Sequence, residues 1–248
     1  MDPHILITGS SRGIGAATAR LAAQRGYAVS INYRNDRAAA EAIMHDIVHD
    51  GGKAILLQAD IAIEAEVKRL FDEADAAFGP ITALVNNAGI LAPQMRVDQI
   101  DAARLQQIFS INIIGSFLCA AEAVRRMSTR YGGKGGAIVN VSSIAASLGS
   151  PGEFVDYAAS KGAIDTFTIG LAKEVALEGI RVNAVRPGVI YTDIHTSTGE
   201  PQRVERMKHG VPMQRGGEAI EVARAILWLL SDEASYVTGS LLGVAGGR

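Results

Sequence analysis

Short apolar runs rich in β-branched residues alternate with longer, alanine-rich amphipathic segments from the start of the chain almost to its end. The short runs predict β-strands, and the longer segments between them predict helices. The predicted strands cover residues 4–8, 28–33, 54–59, 83–86, 137–142, 181–186 and 241–244. The pattern therefore predicts a chain of repeated strand–helix units.

The predicted strands are apolar along nearly their whole length, as in Ala-Leu-Val at 83–85 and Ala-Ile-Val at 137–139. Strands of this kind are buried on both faces, which is typical of a mostly parallel sheet covered by helices on both sides. We therefore predict an α/β, doubly wound fold with seven strands. No linker, repeat or low-complexity segment interrupts the pattern, so residues 1–248 are predicted to form a single domain.

Residues 191–217 break this rhythm, because they are rich in Thr, Ser, Gly, Pro and His and contain only a modest helical stretch around 202–208. Ligands of doubly wound proteins bind beyond the carboxyl ends of the strands, where long loops gather. We interpret the segment as a substrate lid. His195 and Glu200 within it are candidates for contact with a polar substrate, or are ordinary polar loop residues.

Composition narrows the possible partners. The 248 residues are 48% hydrophobic, enough for a sizeable core, and the net charge of -2 provides no basic field for nucleic acid. A single cysteine, Cys119, excludes an internal disulfide and fits a reducing compartment. His45 and His49 have a spacing that can bind metal, but no third ligand is apparent. We expect a cytoplasmic protein without metal, nucleic-acid partner or membrane-spanning segment.

A glycine-rich turn follows the first predicted strand and leads into a predicted helix, with the sequence Thr-Gly-Ser-Ser-Arg-Gly-Ile-Gly at 8–15. Such a turn directs backbone N–H groups and the positive end of the helix dipole toward an anion. The glycine spacing differs from the G-x-G-x-x-G pattern of many dinucleotide sites. The turn thus predicts a phosphate site, and a turn needed only for tight packing is the alternative.

Tyr157 and Lys161 stand four residues apart in a predicted helix and so share one face. A free phenol titrates near ~10. A unit positive charge at ~4 Å, with an effective dielectric constant of ~20, would stabilise the phenolate by about 4 kcal/mol, or roughly three pKa units. The pair therefore predicts a tyrosine with a lowered pKa that acts in acid–base chemistry. A chance pair at this spacing is the alternative.

These motifs together resemble the short-chain dehydrogenase/reductase family, in particular its 3-oxoacyl-carrier-protein reductases and its glucose or sugar dehydrogenases. The order and spacing match along nearly the whole chain. The motifs are Thr8-Gly9-x-x-x-Gly13-Ile14-Gly15, Asn86-Asn87-Ala88-Gly89, Asn112, Ser143, Tyr157-x-x-x-Lys161 and Pro187-Gly188. The resemblance implies a Rossmann-type sheet, a nicotinamide cofactor and a homotetramer, with a dimer as the alternative.

The resemblance also implies four catalytic residues. Tyr157 would exchange a proton with the substrate oxygen, Lys161 would lower its pKa and bind the nicotinamide ribose, and Ser143 would bind the substrate oxygen. Asn112 would hold a water that extends the proton path from Lys161. Register along the fifth predicted strand favours Ser143 over Ser142 for this role, and the choice between the two stays open.

The cofactor contacts that the resemblance implies are Gly9, Ser11, Arg12, Gly13, Ile14, Gly15, Arg34, Asp60, Ile61, Asn86, Ala88, Gly89, Tyr157, Lys161, Pro187, Gly188, Val189, Ile190 and Thr192. No carboxylate stands at the end of the second predicted strand, where NAD-specific sites bind the ribose 2′-hydroxyl. Arg34 and Arg12 are placed to bind a 2′-phosphate instead. We expect NADP(H), with NAD(H) as the alternative and a solvated Arg34 as the competing interpretation.

The predicted function is an NADP(H)-dependent oxidoreductase that interconverts an alcohol and a carbonyl compound. A 3-oxoacyl thioester reductase and a sugar dehydrogenase both fit, because one fold hosts many substrates. An acidic carrier protein would need a basic docking patch, for which Arg125, Arg126 and Arg130 are candidates. A regulatory protein that senses the cofactor without catalysis is the alternative of a different class.

Overall fold

The computed structural model describes residues 2–192, 199–200 and 202–248. Its strands are β1 (His4–Ile7), β2 (Ala28–Tyr33), β3 (Lys53–Gln58), β4 (Ala83–Asn86), β5 (Gly136–Val141), β6 (Ile180–Pro187), β7 (Ile190–Tyr191), β8 (Gly217–Glu218) and β9 (Leu241–Val244). Seven of them form one parallel sheet in the order β3-β2-β1-β4-β5-β6-β9. The predicted seven-stranded, Rossmann-type sheet is confirmed, and its strands begin and end within one residue of the predicted bounds.

Helices cover both faces of this sheet. They are α1 (Gly13–Gln24), α2 (Arg37–His49), α3 (Glu64–Phe78), α4 (Ala102–Phe109), α5 (Ser116–Met127), α6 (Ala145–Leu148), α7 (Val155–Val175), α8 (Arg203–Met207) and α9 (Ala219–Leu230). A π-helical segment, Ser110–Gly115, joins α4 to α5 in one continuous helical run. Extra turns of this kind are often found at functional sites.

Two hydrophobic cores lie on the two faces of the sheet. Alternate residues of β1 show the division, since Ile5 and Ile7 pack in the core under α1, α2 and α9, whereas Leu6 packs in the core under α3, α5 and α7. All three side chains are fully buried. Burial on both faces explains why the strands are apolar at consecutive positions rather than at alternate ones.

By length and composition alone, the run 102–127 is a helix that could cross a membrane. In the fold, one side of this run packs in a core. Cys119, Ala123 and Met127 lie in the core on the α3 side of the sheet. Packing within the domain therefore explains part of its apolar content, whereas Ile114 and Phe117 are exposed.

The predicted lid contains more regular structure than its composition suggests. β7 and β8 form a small parallel pair, and α8 matches the predicted helical stretch. Residues 193–198 and Pro201, and with them His195, lie outside the described residues.

The strand order changes direction between β1 and β4, which creates a crevice at their carboxyl ends. Thr8 and Asn87 tie these two strand ends together. The Thr8 hydroxyl accepts the N–H groups of Asn87 and Ala88, both at 3.0 Å, while the Asn87 amide donates to the carbonyls of Thr8 and Gly9 at 2.8 and 2.9 Å. The mouth of the crevice is thus fixed by hydrogen bonds from both sides.

The buried imidazole of His4 predicts a pH dependence of stability. His4 lies in β1, its Nδ1 is 2.7 Å from the Gly79 carbonyl, and its Nε2 is 2.8 Å from the Ser30 hydroxyl. Burial lowers the pKa of His4, so the folded protein favours the neutral ring. The unfolded chain binds a proton below about pH 6.5. The free energy of unfolding should therefore fall as pH drops from about 7.5 to 5.5, measured by urea denaturation.

His4→Gln removes this titration and serves as the comparison. Every other residue is the same in the two proteins, so the difference between the two pH slopes isolates His4. Equal slopes in the parent and the variant would show that His4 does not cause the effect.

Candidate active site

The glycine-rich turn forms one wall of the crevice. Gly9 has φ of +60°, and a Cβ at this position would lie 2.9 Å from the Cα of Ala88, so only glycine fits. α1 begins at Gly13, and Arg12 before it provides no side-chain cap for the first turn within the described part of the chain. The N-terminal N–H groups and the helix dipole therefore suit a phosphate group.

The cleft that this wall borders has a volume of about 950 Å³ and runs along the carboxyl ends of the strands. Most of the predicted site residues line it. These are Gly9, Ser11, Arg12, Gly13, Ile14, Arg34, Asp60, Ile61, Ala88, Gly89, Ser143, Tyr157, Lys161, Pro187, Gly188, Val189, Ile190 and Thr192. A glycine-walled cleft of this size, with a helix N-terminus at one end, fits an extended dinucleotide.

Three predicted site residues, Gly15, Asn86 and Asn112, do not line the cleft. Gly15 lies behind the turn, where a Cβ would be 2.5 Å from Asn87 Nδ2. The amide of Asn86 donates to the Ser116 carbonyl at 3.1 Å and to Asn140 Oδ1 at 3.0 Å. Gly15 and Asn86 therefore hold the framework behind the cleft.

Asn112 lies in the π-helical segment and is fully buried. Its Oδ1 accepts the Ile90 N–H at 2.8 Å, and its Nδ2 donates to the Ile90 carbonyl and to the Ser160 hydroxyl, both at 3.1 Å. The amide therefore binds the backbone of the loop that lines the cleft. These contacts do not test the expectation that Asn112 holds a water, which stays a prediction.

Tyr157 and Lys161 lie on the cleft side of the first two turns of α7. The Lys161 ammonium is 5.6 Å from the centre of the Tyr157 ring and donates to the Val141 carbonyl at 2.8 Å. The Ser143 side chain lies near enough to the Tyr157 phenol to oppose part of the rise in its pKa. The phenol, the hydroxyl and the ammonium thus meet at one place in the cleft.

The two candidate serines have different surroundings. Ser142 is buried, and its hydroxyl donates to the Lys161 carbonyl at 3.2 Å. Ser143 is partly exposed in the cleft beside Tyr157. The geometry therefore favours Ser143 as the serine next to a substrate, in the register that the strand predicts.

The pKa of Tyr157 differs from the sequence expectation. Burial raises the pKa of Tyr157 to about 12, and the hydrogen bond from Ser143 opposes this rise only in part. Burial also lowers the pKa of Lys161 to about 8, while the nearby carboxylate of Asp165 opposes that change. Burial is the dominant effect on the phenol, and the Lys161 ammonium donates to the Val141 carbonyl. At neutral pH the site holds a protonated phenol beside an ammonium.

Arg34 follows β2 on the cleft wall and is 56% exposed. Its Nε lies 2.9 Å from Asp60 Oδ2. The sequence prediction considered only the end of β2 and placed no carboxylate there, but the ends of β2 and β3 are neighbours in the sheet. Asp60 consequently pairs with the guanidinium that was predicted to be free for a phosphate. A guanidinium has five N–H donors, so its terminal nitrogens can still donate.

The far end of the cleft contains residues that the sequence analysis did not single out for this role. Five apolar and three charged side chains line it, from the loops after β4 and β5, α6, the loop before α7 and α8. They are Leu91, Ile144, Leu148, Phe154, Met207, Glu153, Arg203 and Arg206. Arg203 pairs with Glu153 at 2.6 Å. Nothing in the local sequence links α8 to this loop, because the contact depends on how the lid folds back.

Comparisons with known proteins establish the class of this protein. A family profile described as Enoyl-(Acyl carrier protein) reductase matches residues 9–248. The chain is 60% identical over 243 residues to an uncharacterized oxidoreductase of Escherichia coli (strain K12), covering 98% of each chain. It is 38% identical to a 3-oxoacyl-[acyl-carrier-protein] reductase of Synechocystis sp. (strain ATCC 27184 / PCC 6803 / Kazusa), covering 98% of this chain and 95% of that one.

Comparisons with solved structures give the same class of protein. A short-chain dehydrogenase from Burkholderia cenocepacia J2315, in complex with NADP, matches with a TM-score of 0.90 and 31% identity, covering 99% of this chain and 97% of that one. A dehydrogenase/reductase from Sinorhizobium meliloti 1021 matches with a TM-score of 0.91 and 30% identity, covering 99% and 94%. The chain belongs to the short-chain dehydrogenase/reductase family. It is an oxidoreductase of a family that uses a nicotinamide cofactor.

The close packing around Gly15 predicts that Gly15→Ala destabilises the fold. The new methyl group would meet Asn87 Nδ2 at 2.5 Å and the Gly9 carbonyl at 2.7 Å, so the turn has to shift. Overpacking of this kind typically costs about 1–3 kcal/mol. Chemical denaturation should show this loss in the free energy of unfolding.

Gly170→Ala in α7 is the matched control. A Cβ at Gly170 meets nothing within 4 Å, and alanine is favoured over glycine in a helix by roughly 0.5–1 kcal/mol. This variant should be at least as stable as the parent. A stability loss in Gly170→Ala equal to that in Gly15→Ala would contradict the role of close packing.

Proposed function

We propose that the protein is an NADP(H)-dependent oxidoreductase that interconverts a carbonyl compound and a secondary alcohol, with Tyr157 as its acid–base residue. The observation that supports this most directly is the meeting of Ser143, Tyr157 and Lys161 in the cleft that the glycine-rich turn borders. A protein that only senses a cofactor has no use for a proton donor at this place.

The nicotinamide cofactor supplies or removes a hydride at the carbon of the substrate carbonyl or carbinol group. The protein supplies the proton. In reduction, the Tyr157 hydroxyl donates its proton to the substrate oxygen as negative charge develops there, and Ser143 donates a hydrogen bond to the same oxygen. The phenolate that remains is stabilised by the Lys161 ammonium. In oxidation, the same residues act in the reverse order.

Because Tyr157 is buried, it is suited to donate a proton when a carbonyl substrate is reduced. A phenol whose pKa lies near 12 stays protonated at neutral pH and is ready to donate. Because burial also lowers the pKa of Lys161 to about 8, the ammonium begins to lose its charge in mildly basic solution. Asp165 keeps that loss from beginning at lower pH. We propose that Asn112 holds a water that extends the proton path from Lys161, and its side chain also holds the Ile90 backbone at the wall of the cleft.

The preference for NADP(H) rests on Arg34 and Arg12 at the adenosine end of the cleft. The terminal nitrogens of Arg34 can bind a 2′-phosphate in a bidentate, charge-assisted manner. Asp60 holds the guanidinium in place but also contributes a negative charge, so it reduces the preference. The NADP complex of the Burkholderia cenocepacia relative supports this assignment.

A 3-oxoacyl thioester is a second candidate for the substrate. Relatives with 34–38% identity over nearly the whole chain have this activity in their names. The apolar residues at the far end of the cleft suit the acyl part of such a substrate. A sugar would need several hydrogen-bonding side chains there instead, and the charged ones present, Glu153, Arg203 and Arg206, are paired with one another.

The three arginines predicted to form a basic docking patch for a carrier protein, Arg125, Arg126 and Arg130, have different surroundings. Arg126 is 14% exposed and pairs with Asp72, Asp75 and Glu122, all on α3 or α5. Arg125 pairs with Glu122 as well. Arg126 therefore joins α5 to α3, whereas Arg125 and Arg130 are 60% and 71% exposed and stay candidates for contact with a carrier protein. We further propose that the enzyme is cytoplasmic and a homotetramer, in which residues 191–217 cover the substrate.

Tyr157→Phe should lower kcat by about 100-fold to 10 000-fold, the range that a general acid contributes. The phenyl ring keeps the packing of α7, so NADPH binding, measured by fluorescence, should be unchanged. Activity is measured as NADPH oxidation with a panel of ketones, acyl thioesters such as acetoacetyl-CoA, and sugar carbonyls.

Tyr131→Phe is the matched control, because Tyr131 is exposed and does not line the cleft. It should turn over at the parent rate. Turnover by Tyr157→Phe at the parent rate would refute the proposed function.

Arg34→Asp should change the cofactor preference from NADPH toward NADH. Hydrogen bonds to charged groups are worth about 1.5–3 kcal/mol, so we expect kcat/KM for NADPH to fall roughly 10-fold to 100-fold. The measurement is kcat/KM with each cofactor.

Arg37→Asp is the control for the charge change, since Arg37 is 71% exposed, pairs with Glu41 and does not line the cleft. Its cofactor preference should match the parent. An unchanged preference in Arg34→Asp would exclude Arg34 from 2′-phosphate recognition.

A further inference from the structure

Arg104 and Asp156 form a buried ion pair that the proposed chemistry does not use. Arg104 lies on α4 and Asp156 in the first turn of α7. Arg104 Nε donates to Asp156 Oδ2 at 2.6 Å, and NH2 lies 3.4 Å from Oδ1. The two side chains are 10% and 1% exposed. A pair so well removed from water costs desolvation and is weak evidence of stabilisation by itself.

Asp156 directly precedes Tyr157, and its carboxylate also accepts the Tyr157 N–H at 2.9 Å. The Ser160 hydroxyl donates to the Tyr157 carbonyl at 2.7 Å. Both backbone polar groups of Tyr157 are therefore bonded by neighbouring side chains. N–H groups in the first turn of a helix have no partner within the helix, so Asp156 supplies one that α7 lacks.

Phe154 precedes α7 and makes no side-chain cap in the described structure. Its side chain is buried, and its carbonyl accepts the Ala158 N–H at 2.9 Å. Helix ends without caps fray. The Asp156 carboxylate therefore gives the Tyr157 N–H a partner that no cap from Phe154 supplies.

The same pair reaches the loop that follows β4. Arg104 NH1 donates to the Pro93 carbonyl at 2.7 Å. One helical turn beyond Tyr157, Asn112 donates to Ser160 at 3.1 Å. The run 102–127 thus contacts α7 on both sides of Tyr157, once through Arg104 and once through Asn112.

We propose that Arg104 and Asp156 are positioning residues that hold Tyr157 at the correct place for proton transfer. The inference rests on the proposed role of Tyr157 and adds two residues outside the cleft. A displacement of about 1 Å at a reacting group can reduce the rate 100-fold. The carboxylate fixes the Tyr157 backbone, and the guanidinium fixes the carboxylate.

The test uses two variants. Asp156→Asn keeps an acceptor for the Tyr157 N–H but loses the negative charge. Arg104→Lys keeps the positive charge but loses the planar guanidinium group. Both variants should lower kcat about 10-fold to 100-fold. Their dissociation constants for NADPH should stay within about twofold of the parent value. Hydrogen exchange followed by mass spectrometry should show faster exchange in the segment 154–161. This second readout does not require a substrate.

The matched control is a second ion pair between helices. Arg126 Nε donates to Asp75 Oδ2 at 2.6 Å and joins α5 to α3, and neither residue lines the cleft. Asp75→Asn and Arg126→Lys should lower the Tm but leave kcat and exchange in 154–161 at parent values. A merely structural role for Arg104 and Asp156 would produce the same pattern as this control.

Parent values of kcat and of exchange in both Asp156→Asn and Arg104→Lys would overturn the positioning role. If Tyr157→Phe is inactive at the same time, the proposed function stands and only this inference fails. If the single variants do not fold, Arg104→Met/Asp156→Leu replaces both charges together, which commonly preserves stability. A parent kcat in that double variant would also overturn the inference, and a reduced kcat with normal NADPH binding would support it.

Discussion

The hydrogen bonds between the ends of β1 and β4 determine where everything else in the site can lie. Thr8 and Asn87 bind each other's backbone from adjacent strands, and Asn87 also binds the Gly9 carbonyl at the start of the turn. This contact sets the distance between the glycine-rich turn and the loop after β4. Because Ala88 approaches Gly9 closely, the two walls leave space for a ligand only in front of the turn.

Buried polar contacts connect these strand ends to α7. Asn112 holds the Ile90 backbone and Ser160, so the loop after β4 and α7 share one partner. Lys161 binds the Val141 carbonyl at the end of β5, which ties α7 to the sheet. Each of these groups is buried, and a buried polar group left without a partner is costly. The arrangement is therefore specific, since movement of one group leaves the others unsatisfied.

The sequence predicts the sheet well because its signal is local and physical. Each strand is a short β-branched run bounded by turn residues, and burial on both faces keeps its residues apolar. The glycine turn and the Tyr157–Lys161 pair are also local patterns, so their places in the cleft follow from the strand order. By contrast, the ion pair of Arg34 with Asp60 joins residues that are distant in sequence and adjacent only because β2 and β3 are neighbours.

The pKa of Tyr157 shows most clearly that the spacing of two residues along a helix does not predict their protonation. Spacing brings the ammonium to the right face of α7, but it does not predict that Lys161 donates to Val141 or that burial outweighs the attraction. The same limit applies to Asp156, which reads in the sequence as an ordinary acidic residue in the first turn of a helix, favoured there by the dipole. Only the fold shows that Arg104 of α4 donates to this carboxylate and that the Tyr157 N–H donates to it as well. The position of Tyr157, the proposed proton donor, therefore depends on the tertiary structure, whereas the sequence alone is enough to identify the residue.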